Sequence, residues 1–221
     1  MIAAVIFDHD GLTLDTEGSW THAESALFAR YGATFTPEHK RDLLGNSRAT
    51  AAAKLEHHLG LPGRGDALMD ELHMLVMEAL LDGTEPMPGA PELLRALRRR
   101  GMPIALASNS ASDFVARALA GAGLQDAFDV VVTADDVAHP KPAPDVYLAA
   151  AEALGADPAQ CVALEDSPPG VTAARAAGMT VVGVPSLAGI ALAGADLVAA
   201  SLSDPSVWEL LGLSGDGRAV L

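Results

Sequence analysis

Ala3-Ala4-Val5-Ile6-Phe7-Asp8-His9-Asp10-Gly11-Leu12-Thr13-Leu14-Asp15-Thr16-Glu17 is the stretch on which the fold turns. Residues 3–7 are apolar throughout, the pattern of a strand buried on both faces of a parallel sheet. The run stops at Asp8-His9-Asp10, so carboxylates two residues apart face the same way at the strand's carboxyl end. In open parallel sheets, ligands sit beyond that end.

Working outward, further apolar runs at 104–107, 130–132, 161–164, 180–184 and 196–198 read as strands. Helical patterns at 90–100, 112–120, 143–154, 170–177 and 205–211 separate or follow them. This alternation predicts an α/β fold: a doubly wound parallel sheet, a Rossmann-like three-layer sandwich. One stretch lacks strands. Segments 19–31, 37–43, 49–59 and 65–81 are helical, and Leu68, Leu72, Leu75, Val76, Ala79 and Leu80 share one apolar face in the last. The expected organisation is a catalytic core of residues 1–16 and 84–221 with an inserted α-helical cap, residues 17–83. Short linkers on either side of the insertion suit a hinged lid.

Composition narrows the function classes. Half of the 221 residues are hydrophobic and 19% are charged, which supports a substantial core. The formal net charge of −15 argues against a duplex-DNA partner and against an anionic membrane surface. The lone Cys161 cannot form an internal disulfide, which fits a reducing compartment. The amino-terminal run has no basic region before its apolar residues, and the uncharged stretch 176–195 is broken by glycines and Pro185. The expectation is a soluble, cytoplasmic monomer.

The residues after the other strands carry the chemistry. Ser108-Asn109-Ser110 follow one, Glu165-Asp166-Ser167 follow another, and Lys141 stands between Pro140 and Pro142. Unit charges 4 Å apart repel by about 4 kcal/mol at an effective dielectric near 20. Asp8, Asp10, Glu165 and Asp166 at one sheet rim therefore call for a cation, and hard oxygen ligands favour Mg²⁺. Amides and hydroxyls at Ser108–Ser110, near a helix start, suit an anion. A carboxylate nucleophile, a second carboxylate as acid and base, a divalent cation and a lysine together suit phosphoryl transfer.

At these residues the sequence resembles the haloacid dehalogenase superfamily of phosphohydrolases. The segments run in order: residues 7–17, then Leu106-Ala107-Ser108-Asn109-Ser110, then Lys141-Pro142-Ala143-Pro144-Asp145-Val146-Tyr147, then Leu164-Glu165-Asp166-Ser167-Pro168-Pro169-Gly170-Val171. The helical insertion is similar to the cap of the β-phosphoglucomutase and sugar-phosphatase branch. The resemblance implies Asp8 as a nucleophile that becomes an aspartyl-phosphate, with Asp10 as general acid and then base. It implies Mg²⁺ held by Asp8, the Asp10 backbone carbonyl and Asp166, with Glu165 as a direct or outer ligand. Ser108, Asn109 and Lys141 would hold the phosphoryl group. Gly45-Asn46-Ser47-Arg48 resembles the cap loop that reaches the substrate, which makes Arg48 a candidate for its polar end.

The implied function is Mg²⁺-dependent removal of phosphate from a small metabolite, a sugar or polyol phosphate. A phosphomutase is the near alternative. However, β-phosphoglucomutases carry a histidine four residues after the threonine matching Thr16, where this chain has Trp20. His9 and Thr13 also stand where apolar residues are usual. A phospho-accepting signalling module is the alternative of another class, but such modules are shorter and lack a lid. Each segment also has a plainer reading: a turn at Asp8–Gly11, a helix cap at Ser167, a loop lysine at Lys141. Glu17 and Trp20 are expected beside the pocket. His57, His58 and His73 have no ligand pair at zinc spacing.

Overall fold

A computed structural model describes residues 2–80 and 83–213. Leu81, the last residue of the predicted fourth cap helix, lies outside the described residues, as do Asp82 and segment 214–221 of the predicted core. Strand β1 (Ala4–Phe7) is followed by helices α1 (Glu17–Arg30), α2 (Pro37–Leu43), α3 (Arg48–Leu59) and α4 (Gly65–Ala79). Then come α5 (Ala90–Arg99), β2 (Ile104–Ala107), α6 (Ser112–Gly121), β3 (Val130–Val132) and α7 (Asp145–Ala153). The chain continues through β4 (Cys161–Glu165), α8 (Pro168–Ala176), β5 (Thr180–Gly183), β6 (Leu197–Val198) and α9 (Pro205–Leu210).

The strands form a six-stranded sheet in the order β3-β2-β1-β4-β5-β6, and every pairing is parallel. The fold is the expected doubly wound α/β sandwich with an inserted helical segment. Strand order reverses between β1 and β4, and this is the crevice where such sheets receive ligands. Side chains alternate across the sheet as the two-residue period demands. Val5 and Phe7 enter one core with Leu93, Leu97 and Phe114, while Ala4 and Ile6 enter the other with Tyr147, Ala150 and Val171. In the insertion, α4 packs against α1 and α3. Leu68, Leu72, Leu75 and Val76 of α4 are buried at the helical spacing read from sequence, and Met69 joins them. No helix among the described residues is long and apolar enough to cross a membrane.

Local chemistry explains the element ends. Ser167 caps α8, its side chain accepting from the Gly170 amide, with Pro168 at the first helical position. Ser47 caps α3 in the same way through the Thr50 amide. Helix α7 starts at Asp145, two residues later than its apolar pattern suggests, because Pro144 disfavours helical backbone at Ala143. Lys141 therefore sits in the loop before the helix and does not open it.

Gly170 is required by close approach: a Cβ there would overlap the carboxylate of Glu165. Gly170→Ala should drive α8 off the end of β4 and destabilise the protein by at least ~2 kcal/mol, read as a lower urea midpoint at unchanged slope.

Candidate active site

The end of β1 lies beside the end of β4, with Phe7 paired to Leu164 and the Asp8 amide donating to the Leu164 carbonyl at 2.9 Å. This register puts Asp8 against Glu165 and Asp166, and all three are buried. Lys141 enters between them. Its Nζ donates to Asp8 Oδ1 at 2.5 Å, Glu165 Oε1 at 2.6 Å and the Ala107 carbonyl at 3.0 Å, which uses all its protons. Burial opposes the charge on Lys141, but the two carboxylates outweigh it and hold the ammonium above its ordinary pKa.

Glu165 is fully engaged. Its Oε1 also accepts from the Tyr147 hydroxyl at 2.5 Å, and its Oε2 accepts from the amides of Asp166 and Ser167 and from Ser167 Oγ. Asp166 Oδ2 accepts from Ser186 Oγ at 2.6 Å. Among the described residues, no hydrogen bond reaches Asp8 Oδ2 or Asp166 Oδ1. Burial, with repulsion from Glu165 and Asp10, pushes Asp8 from 3.8 to about 7 against the pull of Lys141. Burial and the charges of Asp8 and Glu165 likewise raise Asp166 well above 3.8.

Asp8, Glu165 and Asp166 each present an oxygen, mutually within 4.8 Å. Surplus negative charge, all-oxygen donors and a free oxygen on Asp166 fit a hard divalent cation such as Mg²⁺. With its lone pairs already taken, Glu165 suits the task of holding Lys141 better than that of binding metal.

Asp10 departs from the expectation of four acids in one knot. Its Oδ1 accepts from Thr16 Oγ1 at 2.7 Å and Trp20 Nε1 at 3.1 Å, and its Oδ2 accepts from Ser110 Oγ at 2.7 Å. His9 Nδ1 lies 3.1 Å from Oδ2. Burial would raise the pKa of Asp10, but His9 and the hydroxyls of Thr16 and Ser110 hold it below the usual carboxylate range. The carboxylate thus turns toward the start of α1, away from the repulsion of Asp8.

The other expected residues fall as follows. Ser108 Oγ is buried, accepts from the Ser110 amide and lies 3.5 Å from Asp10 Oδ2. Asn109 accepts from the Lys141 amide through Oδ1 and donates through Nδ2 to the carbonyls of Lys141 and Gly45. The last bond ties the core to the inserted helices. Gly45, at φ +67°, approaches Ser167 so closely that a Cβ would stand 2.7 Å from its Oγ. Trp20 packs on Phe114, their rings 5.1 Å apart.

A cavity of about 150 Å³ runs from Asp8, Asp10, Lys141 and Asp166 up to Glu17, Trp20, Lys40 and Arg48 in the insertion. Arg48 lines it, but its guanidinium is half-exposed and paired with Asp70 at 2.6 Å. His58 and His73 each pair with a carboxylate, Asp42 and Asp113, at 2.9 Å. Sequence reasoning passed over Tyr147 and Ser186, which lay in or beyond the matched segments with no period or spacing to single them out. It also passed over Lys40, whose Nζ lies 2.7 Å from Glu17 Oε2 and 3.1 Å from Glu24 Oε2.

Comparisons with known proteins agree with this geometry. The haloacid dehalogenase-like hydrolase family profile matches residues 2–178. The chain is 37% identical to fructose-1-phosphate phosphatase YqaB of Escherichia coli (strain K12) over 82% of its own length and 96% of that protein's. It is 35% identical to the bifunctional riboflavin kinase/FMN phosphatase of Arabidopsis thaliana over 84% of its own length, but spans about half (49%) of that protein. The crystal structure of CbbY from Rhodobacter sphaeroides in complex with phosphate superposes with a TM-score of 0.82 at 28% identity, covering 92% of this chain and 96% of that one. The chain belongs to the haloacid dehalogenase-like hydrolase family.

The raised pKa of Asp8 makes a linkage prediction. A carboxyl whose folded pKa exceeds its unfolded value favours folding at low pH, and that contribution fades as pH rises from 3.8 to about 7. In EDTA, the Tm should therefore fall across this window. Glu24, also pushed up to about 7 by burial, adds a slope of the same sign. Mg²⁺ should offset the parts due to Asp8 and Asp166 but not that of Glu24, raising the Tm by several degrees at pH 8 and little at pH 4. Scanning calorimetry with and without Mg²⁺ checks it.

Proposed function

We propose that this hydrolase is a Mg²⁺-dependent phosphatase of small sugar or polyol phosphates that works through an aspartyl-phosphate on Asp8. The observation that carries the reading is Lys141 held between Asp8 and Glu165 at the strand-order reversal, with a free oxygen on Asp8. Lys141 leaves one Asp8 oxygen to attack and offsets the repulsion between that anion and an incoming phosphate. Its similarity to a fructose-1-phosphate phosphatase supports the substrate class.

In the proposed sequence, Asp8 Oδ2 attacks phosphorus while the bond from phosphorus to the leaving alcohol oxygen breaks. Asp10, ionised in the free site, takes up a proton as substrate enters and gives it to that oxygen. Water then attacks the aspartyl-phosphate, Asp10 takes the water's proton, and the bond between phosphorus and Asp8 breaks to release phosphate. Ser108 Oγ, Asn109 and Lys141 face the phosphoryl group, Lys141 by redirecting to it the proton it gives Asp8, and Glu165 and Tyr147 orient Lys141. Mg²⁺, held by Asp8, the Asp10 carbonyl and Asp166, would supply charge neutralisation and polarise the phosphoryl group. Residues 17–83 act as the lid: Trp20, with Thr16 just before the insertion, orients Asp10, the 45–48 loop closes over the phosphate side through Asn109, and Arg48 reaches the outer end of the substrate.

The phosphomutase alternative is less well supported. Where mutases of this branch carry a histidine, Trp20 donates to Asp10 and stacks on Phe114, so no second acid–base group stands there. The family match sets aside the signalling-module alternative.

Asp8→Asn should lower turnover at least ~10³-fold with the circular dichroism spectrum unchanged. Asp10→Asn should lower it by about 10²–10⁴-fold. A screen over metabolite phosphates with and without EDTA should show metal-dependent release of inorganic phosphate. Isomerised product from a hexose 1-phosphate, in place of free phosphate, would favour the mutase. Full activity of Asp8→Asn would end the assignment.

A further inference from the structure

The outer end of the cavity holds charged side chains that the phosphoryl chemistry does not use. Lys40 of α2 is buried, and its ammonium lies between Glu17 and Glu24 of α1, 2.7 Å and 3.1 Å away. All three line the cavity that begins at Asp8. Cations at a substrate's far end ordinarily recognise a second phosphate or a carboxylate. Here the cation is already matched by two carboxylates. Arg48, also on this side, is matched by Asp70, and His73 Nε2 lies 2.9 Å from Asp113 Oδ2.

We infer that Glu17, Lys40 and Glu24 form a specificity filter that accepts an uncharged, hydroxyl-bearing leaving group and rejects one carrying a second anionic group. The inference rests on the phosphatase reading and narrows its substrate class. A hydroxyl can donate to Glu17 while accepting from the ammonium proton that the two carboxylates leave over. An anion must instead displace a carboxylate from Lys40 or stand beside Glu17 unpaired. Either outcome is unfavourable in a cavity of about 150 Å³, where like charges placed together select strongly against a partner. Burial pushes Glu24 up to about 7 against the pull of Lys40, so near neutrality its carboxylate offsets the ammonium in part.

The test compares two substrates matched in size: a polyol monophosphate, and a counterpart whose far end bears a carboxylate or second phosphate. Both are measured on wild type, Glu17→Gln and Glu17→Gln/Glu24→Gln. Wild type should favour the uncharged tail by at least ~10-fold in kcat/KM, through KM more than kcat. Glu17→Gln should narrow that ratio by about tenfold, and the double variant should narrow it further by lowering KM for the charged tail. Glu17→Gln keeps Lys40 paired with Glu24, so it carries the test if the double variant does not fold. Equal efficiency on both substrates in an active wild type, or an unchanged ratio in Glu17→Gln, overturns the filter and leaves the phosphatase standing. No turnover of any phosphomonoester overturns both.

Discussion

Everything at this site depends on a buried ammonium that cannot be left alone. Lys141 lies in a crevice where desolvation disfavours its charge, and it stays protonated because Asp8, Glu165 and the Ala107 carbonyl take its three protons. Breaking such a pair exposes an uncompensated charge, so the partners constrain one another. Glu165 has to be held by Tyr147, by two amides and by Ser167 to keep its aim. The start of α8 must approach closely enough to supply those donors, and Gly170 allows this. A chain of requirements thus runs from one lysine to a helix position in sequence terms far away.

The same constraint divides labour among the acids. One ammonium cannot neutralise three carboxylates, so Asp8 and Asp166 carry the excess as raised proton affinity and fit a divalent cation. Asp10 escapes the conflict by turning to Thr16 and Trp20 at the junction with the inserted helices. Its orientation is therefore coupled to the insertion. A shift of α1 would change the donors around Asp10, so its acid–base behaviour depends on where the inserted helices lie.

The sheet was legible because its strands are short and wholly apolar, and their ends carry polar residues that no packing requirement would put there. Asp8 and Asp166 were visible for that reason, and Lys141 from the segment that carries it between two prolines. The insertion was legible from the helical spacing of Leu68, Leu72, Leu75 and Val76. What stayed hidden depended on closure between distant segments. Neither Lys40 nor Glu24 has a local pattern that marks it as buried, and they become a pair only when α2 folds across α1. Tyr147 reads as an ordinary core aromatic until its hydroxyl meets Glu165. The spacing of Asp8 and Asp10 correctly implied a shared face, but not the rotation of Asp10, which the donors around it decide. Helix α7 began late because Pro144 acts on the residue before it, a local rule that the apolar period overrode.

A chain with a net charge of −15 faces a difficulty in binding phosphate at all. Its long-range field opposes an anionic substrate, so attraction has to be local and short-ranged. Lys141 lies at the inner end of the cavity, backed by the hydroxyl of Ser108 and by the donor set suited to a divalent cation. The outer end offers Lys40 and Arg48, both already matched by carboxylates. Attraction for anions is therefore concentrated at one end of the cavity, and a substrate with a single phosphate has one favourable orientation. That orientation points its phosphorus at Asp8. In an otherwise acidic protein, the paired cations of the inserted helices orient the substrate by withholding attraction, as much as the inner site orients it by supplying it.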